Sequence, residues 1–211
     1  MKILKKVPHG NGHMRVYLFG IKILSYRPDH FVNGKNNILQ IPESADVKCK
    51  IIGDNNKIII DDTCGYNPHM NIKIGLIAPC NNCEIKIGKH FHSGTLEFVT
   101  PIQEDGMKIE IGDDCMFSIG TEFIPSDSHA IFDENGKVRN MAKHIKIGNH
   151  VWFGANVTIC KNTEIADGCI VGAHSVVSGK FTEPNCIIAG NPARVIRRNS
   201  TWDVRLPKEF L

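Results

Sequence analysis

The stretch Ile147–Ser178 reads IGNHVWFGANVTICKNTEIADGCIVGAHSVVS, and its period decides the fold. Every sixth residue from Ile147 is bulky and apolar: Ile147, Phe153, Ile159, Ile165, Val171 and Val177. The residue after each is small (Gly148, Gly154, Cys160, Ala166, Gly172, Ser178). Four places after the first five column residues, within the stretch, stand Val151, Val157, Thr163, Cys169 and Ser175. Three positions agreeing in phase over six registers fit neither the helical period nor the two-residue alternation of a strand. They mark an internal repeat, which outranks local propensity.

A six-residue period of this kind predicts an all-β chain wound as a parallel β-helix, with three hexapeptides to each triangular coil. The aliphatic points into the prism, and the small residue turns the corner with a backbone conformation that large side chains resist. No coil has a core of its own, so stability accumulates by stacking neighbours. The repeat is therefore scaffold. Chemistry is expected on its outside or in a loop that interrupts it.

Toward the N-terminus, Ile111, Phe117 and Phe123 keep the phase, and the 36 residues from Ile111 to Ile147 read as two coils. Within them SDSHAIFDENGKVRNMAK (126–143) is polar, has a turn signal at Glu134-Asn135-Gly136 and lacks the aliphatic column. This predicts a loop over 125–143, of the sort that leaves a scaffold to do chemistry. Earlier coils are looser: Ile52–Gly53, Ile58 and Cys64 keep the step, and Ile74–Gly75 with Cys80 restart it. Asn55, Asn56, Asn71, Asn81 and Asn82 suit corners, since asparagine tolerates left-handed backbone.

The repeat domain is placed at 36–198, with a tail at 199–211 whose Trp202 and Phe210 are available to pack or to meet another subunit. Residues 1–35 carry Lys2, Lys5, Lys6, Arg15, Lys22 and Arg27 around an apolar core of Val16, Tyr17, Leu18, Phe19, Ile21, Ile23 and Leu24. They read as a cap over the open prism end, or as a basic segment resting on the anionic inner membrane leaflet.

The net charge of +3 over 211 residues gives no prior for nucleic acid. A basic N-terminus without a following apolar run and cleavage site is not a secretory signal, and no stretch approaches the ~20 apolar residues of a membrane span. A cytoplasmic location, with peripheral membrane contact as an option, is expected. Eight cysteines in such a chain suit reduced thiols. Cys64, Cys160 and Cys169 fall at repeat positions that take small apolar side chains. Cys80 and Cys83 form a C-x-x-C pair without a second pair at finger-like spacing, so packing is favoured over zinc and no metal is expected.

Three segments carry a family resemblance: HVWFGANVTI (150–159), VGAHSVV (171–177) and IAGNPARVI (188–196). They resemble the C-terminal signatures of the hexapeptide-repeat O-acetyltransferases, and SDSH (126–129) resembles the catalytic loop of that family. The similarity covers about residues 36 to 200. The Asp-x-His form, the basic N-terminus and NSTWD (199–203) look most like the enzymes of polysialic acid, capsule and lipopolysaccharide. The resemblance implies a left-handed parallel β-helix, usually a trimer, with acetyl-CoA in the groove between two prisms. A flat-sided prism can also close a three-fold ring on physical grounds.

Acetyl transfer from a thioester to a sugar hydroxyl needs a base for the hydroxyl proton and a donor for the oxyanion. An imidazole suits the first task, which makes His129 the candidate base, with Asp127 or Asp133 to fix its tautomer. By resemblance, Trp152 matches a tryptophan required in the polysialic acid enzymes. Gly154, Ala155, Gly172 and Ala173 match the coenzyme groove, Ser178 and Lys180 match the pair beyond it, and Gly179 stands as an insertion relative to close relatives of the family. Arg194 and Arg197 match residues near the nucleotide phosphates, where a guanidinium makes paired, charge-assisted bonds. Against this, glycine and alanine are corner residues in any hexapeptide protein, and a loop histidine is usually polar surface.

Three alternatives remain: an acetyltransferase acting on an amino sugar nucleotide or small sugar, a zinc carbonic-anhydrase-like enzyme, and a non-catalytic scaffold. The zinc enzyme would need three converging histidines from among His69, His90, His92, His144, His150 and His174.

Overall fold

In a computed structural model of the chain, residues 30–43, 45–63 and 69–211 are described in full, and three strands precede them. Those strands, Leu4–His9, His13–Leu18 and Ile21–Tyr26, form an antiparallel sheet. The basic side chains of the expected cap or membrane segment lie outside the described residues, as does Cys64.

From His30 the chain winds as a left-handed parallel β-helix. Ile147 pairs with Ile165, Phe153 with Val171 and Ile159 with Val177, so equivalent residues of adjacent coils lie 18 apart. Three parallel sheets result. The first face holds His144–Ile147 and Glu164–Ile165, the second Trp152–Phe153 and Ile170–Val171, and the third Thr158–Cys160 and Val176–Val177. The column residues Phe153, Ile159, Val171 and Val177 are fully buried, and the Phe117 and Phe153 rings meet at 4.3 Å across adjacent coils. At the corners, His150, Asn156, Asn162 and His174 take positive φ between 53° and 60°.

Four expectations shift. The 36 residues from Ile111 to Ile147 are one coil and not two, because Ile111 pairs directly with Ile147 and Phe117 with Phe153. The excursion 126–143 has the length of one coil, so it leaves the phase of the repeat intact while contributing no rung. The prism begins at His30–Asn33, which pairs with Asp46–Ile52 ahead of the expected boundary at 36. At its other end, Ala193–Arg197 folds back antiparallel on Ile187–Gly190 and finishes the second face. Asn55 and Asn82 turn corners with φ 58°, but Asn56 is buried, donating to the Cys80 carbonyl and accepting from Cys83 N, both at 2.9 Å. Asn71 lies within the strand His69–Ile74 and donates to Glu97 at 2.9 Å.

Candidate active site

The loop 125–143 leaves the third face after Thr121–Ile124 and enters the first face at His144–Ile147. Its root is fixed by Ser126, which is fully buried. The Ser126 hydroxyl donates to Glu104 Oε1 and accepts from Ser128 N, each at 3.0 Å, while its carbonyl accepts from Thr100 Oγ1 at 2.9 Å. Ser128 takes φ 60°, which turns the chain sharply just before His129. Farther out, Phe132 and Val138 bridge antiparallel, and Asp133 Oδ1 accepts from Asn135 N at 3.0 Å and Lys137 N at 2.9 Å.

His129 is exposed on this framework. Asn140 spans it: Nδ2 donates to Asp127 Oδ2 at 2.6 Å and to the His129 carbonyl at 2.8 Å, and Oδ1 accepts from Ile131 N at 2.8 Å. Lys161, one coil on, bonds both the Asp127 carboxylate and the Asn140 carbonyl. The Lys161 ammonium first, and then the Asn140 amide, hold the Asp127 carboxyl below its ordinary range. Both carboxylates considered as partners of the His129 ring are thus engaged elsewhere, Asp127 by Lys161 and Asn140, Asp133 by the outer turn and by Arg139 at 3.9 Å. Sequence reasoning missed Asn140 and Lys161, and it placed Ser126 in the loop without its anchoring role. A polar loop residue has no period, and Lys161 reads as an ordinary corner residue.

Trp152 stands on the second face, half-buried, with its strand between those of Met116 and Ile170. Its indole Nε1 is buried and, among the described residues, without a hydrogen-bond partner. Leaving such a donor unmade costs about 1–3 kcal/mol. Trp202 of the tail lies beside it, the two indole rings 6.0 Å apart. No hydrogen bond, ion pair or ring contact joins His129 to Trp152 among the described residues. His129 belongs to the edge between the third and first faces, Trp152 to the second face.

Gly154–Ala155 and Gly172–Ala173 stack at the corner from second to third face. A Cβ on Gly154 would fall 2.7 Å from Ala173 N, and one on Gly172 2.9 Å from Ala189 Cβ, so coil stacking by itself requires both glycines. Ala173 is exposed and Ala155 half-buried, so at these two positions the corner presents methyl groups, with Asn156 and His174 exposed beside them. Ser178 and Lys180 lie around a different edge, from third to first face. There Lys180 pairs with Glu164 at 2.7 Å, and the same oxygen meets His144 Nε2 at 2.6 Å. Lys180 and then His144 hold the Glu164 carboxyl below its usual range. Val177 to Phe181 crosses this edge in two residues fewer than Ile159 to Ile165, with Gly179 at φ 102°. Arg194 and Arg197 are exposed on the last strand, and Arg194 Nη1 donates to the Ala193 carbonyl at 2.7 Å.

The seven described cysteines are free thiols. Cys80 and Cys83 are buried with their sulfurs 3.4 Å apart, in the prism core. Among the described residues no three His, Cys, Asp or Glu side chains are grouped to hold a metal ion.

The bacterial transferase hexapeptide (six repeats) family model matches residues 144–179. A polysialic acid O-acetyltransferase of Neisseria meningitidis is 36% identical over 189 residues, covering 80% of this chain and 86% of that protein. A second, from Escherichia coli O1:K1, is 36% identical over 137 residues, covering 64% of this chain. The match spans only 43% of that second relative's length. Among solved structures, the polySia-specific acetyltransferase NeuO superposes with a TM-score of 0.60 at 30% identity, covering 85% of this chain and 91% of that one. A scaffold of stacked hexapeptide coils, a braced loop histidine and relatives matched over most of the chain lead to one assignment: the chain belongs to the hexapeptide-repeat O-acetyltransferases, in the group of the polysialic acid enzymes.

Proposed function

We propose that the chain transfers the acetyl group of acetyl-CoA to a hydroxyl of a bacterial surface polysaccharide (capsule, polysialic acid or O-antigen) with His129 as general base. The observation that carries this is the bracing of an exposed loop histidine by Asn140, Asp127 and Lys161 in a chain similar to polysialic acid O-acetyltransferases over most of its length.

His129 takes the proton of the attacking hydroxyl as its oxygen bonds to the thioester carbon. As the carbon–sulfur bond breaks, the imidazolium returns that proton to the departing sulfur, leaving an acetyl ester and free CoA. Trp152 Nε1, which has no partner among the described residues, donates to oxygen charge that develops in the transition state. Asp127 acts through Asn140, by holding the turn. The methyl-lined corner at Ala155 and Ala173 lets an extended pantetheine arm lie against the backbone. Ser178 and Lys180 flank the far edge, and the exposed Arg194 and Arg197 pair with the nucleotide phosphates.

Because His129 and Trp152 stand on different sides of one prism, the site is completed between two subunits of a cytoplasmic homotrimer. Membrane contact by the basic N-terminal segment is compatible with this arrangement and adds nothing to the chemistry.

Thioester consumption against polysialic acid, O-antigens, simple sugars and amino sugars tests this function. O-acetylation of a polymer is expected. Turnover confined to amines, or a zinc-dependent hydration activity without acetyl-CoA, overturns it.

A further inference from the structure

A cavity of about 330 Å³ lies along the edge between the first and second faces, away from the edge that carries the His129 loop. Its walls come from the coils and from the tail. His90, Asp114 and His150 stack in register along the corner, His92 and Met116 stand on the second face, and Trp202 closes over them. Met116 pairs in register with Trp152, so the cavity floor is the rung next to the Trp152 rung.

The tail is fastened there by a reciprocal link. Trp202 Nε1 donates to the His150 carbonyl at 2.8 Å, the His150 Nε2 and Trp202 carbonyl are 3.2 Å apart, and the two rings stack at 4.2 Å and 7°. The carboxylates lining the cavity are paired: Asp114 Oδ1 is 3.0 Å from His90 Nδ1, and Asp203 forks onto Arg205 with contacts of 2.9 and 3.0 Å. The result is a small concavity with a flat aromatic wall and a rim of imidazoles and carboxylates that already have partners. Its volume is at the low end of ligand sites. An aromatic plane meets the C–H face of a sugar ring, and imidazole–carboxylate edges meet its hydroxyls as both donors and acceptors.

We propose that this cavity is a saccharide subsite, which seats one sugar unit of the acceptor chain beside the unit being acetylated at Trp152. The proposal rests on the acceptor being a polysaccharide, as put forward above. It makes the tail from Thr201 to Val204 part of the acceptor site and gives the enzyme a preference for chains over single sugars.

The sequence contains two tryptophans, so Trp152→Phe leaves Trp202 as the sole indole reporter. Titrating that variant with a sialic acid tetramer is expected to give a saturable change in Trp202 emission, with no comparable change on adding acetyl-CoA. No change with the sialic acid tetramer or with a neutral hexose tetramer overturns the proposal, as does a response to acetyl-CoA alone. In an otherwise native chain, Trp202→Ala is expected to raise KM for the polymer about fivefold or more while KM for acetyl-CoA stays within about twofold. An unchanged polymer KM contradicts the subsite. If the enzyme acetylates no sugar, the proposed function fails, while the titration still reads the cavity on its own.

Discussion

The side-chain amide of Asn140 donates from one nitrogen to the His129 carbonyl at 2.8 Å and to the Asp127 carboxylate at 2.6 Å. Its oxygen accepts from Ile131 N, so a single side chain fixes the backbone on both sides of the base. Asn140→Ala is expected to lower kcat by about 10–100-fold, because small misplacements of a catalytic group are expensive. KM for acetyl-CoA should hardly move, and the melting temperature should stay near that of the native chain, since the loop contributes no rung. A kcat within about twofold of native would remove Asn140 from this role.

The Lys161–Asp127 link sets an acid limit on the loop. Asp127 has a lowered pKa in the folded chain, caused first by Lys161 and then by Asn140. A group of this sign contributes its full stabilisation above the ordinary carboxylate pKa and loses it as pH falls through the lowered folded value. The Asp127 side chain is 35% exposed, so solvent screening keeps the contribution small and local. Limited proteolysis of the loop should begin below about pH 4, while the prism remains folded. Asp127→Asn should make the loop protease-sensitive at neutral pH and abolish that acid onset.

Gly154→Ala and Gly136→Ala separate crowding from backbone preference. At Gly154 the added methyl meets Ala173 N at 2.7 Å, backbone against backbone, where nothing flexible can yield. A loss of about 1–3 kcal/mol in urea unfolding is expected. Gly136 has φ 74° with open space around its Cβ position, so only the left-handed strain of about 1–2 kcal/mol acts there, on an outer loop. Loss of acetyl-CoA binding in Gly154→Ala beyond the loss of folded protein would show that the corner is also part of the donor groove.

Phe153 is fully buried and its ring packs on Phe117 at 4.3 Å. Phe153→Ala is expected to destabilise the prism by about 3–5 kcal/mol. Activity per folded molecule should change little at temperatures where the variant remains folded. A variant of native stability would contradict the inward column.

The column from Ile147 to Val177 was legible because one inward residue in six is a demand that stacking places on every coil, and no other fold asks for it. The same period misled at Ile111–Ile147, where an 18-residue excursion preserves phase while adding nothing to the prism. The loop itself could be recognised from its missing aliphatics, but its wiring could not. Asn140 reaches Asp127 across 13 residues and Lys161 reaches it across 34, and those separations become contacts only once the coils are stacked. Trp202 could be read as a residue available to pack, but its partner was equally hidden, since His150 lies 52 residues away on a corner that looks like every other. Small residues gave the opposite difficulty: Gly154 and Gly172 matched a coenzyme groove by resemblance, and the close approach of the next coil accounts for both without any ligand.

The central claim is that His129 removes the proton of a sugar hydroxyl during acetyl transfer. The direct measurement is acetyl-CoA turnover on polysialic acid by the native chain and by His129→Ala, with acetyl-CoA binding followed in parallel. Loss of a general base predicts a fall in kcat of about 10²–10⁴-fold with donor binding retained. Undiminished turnover in His129→Ala would contradict the account.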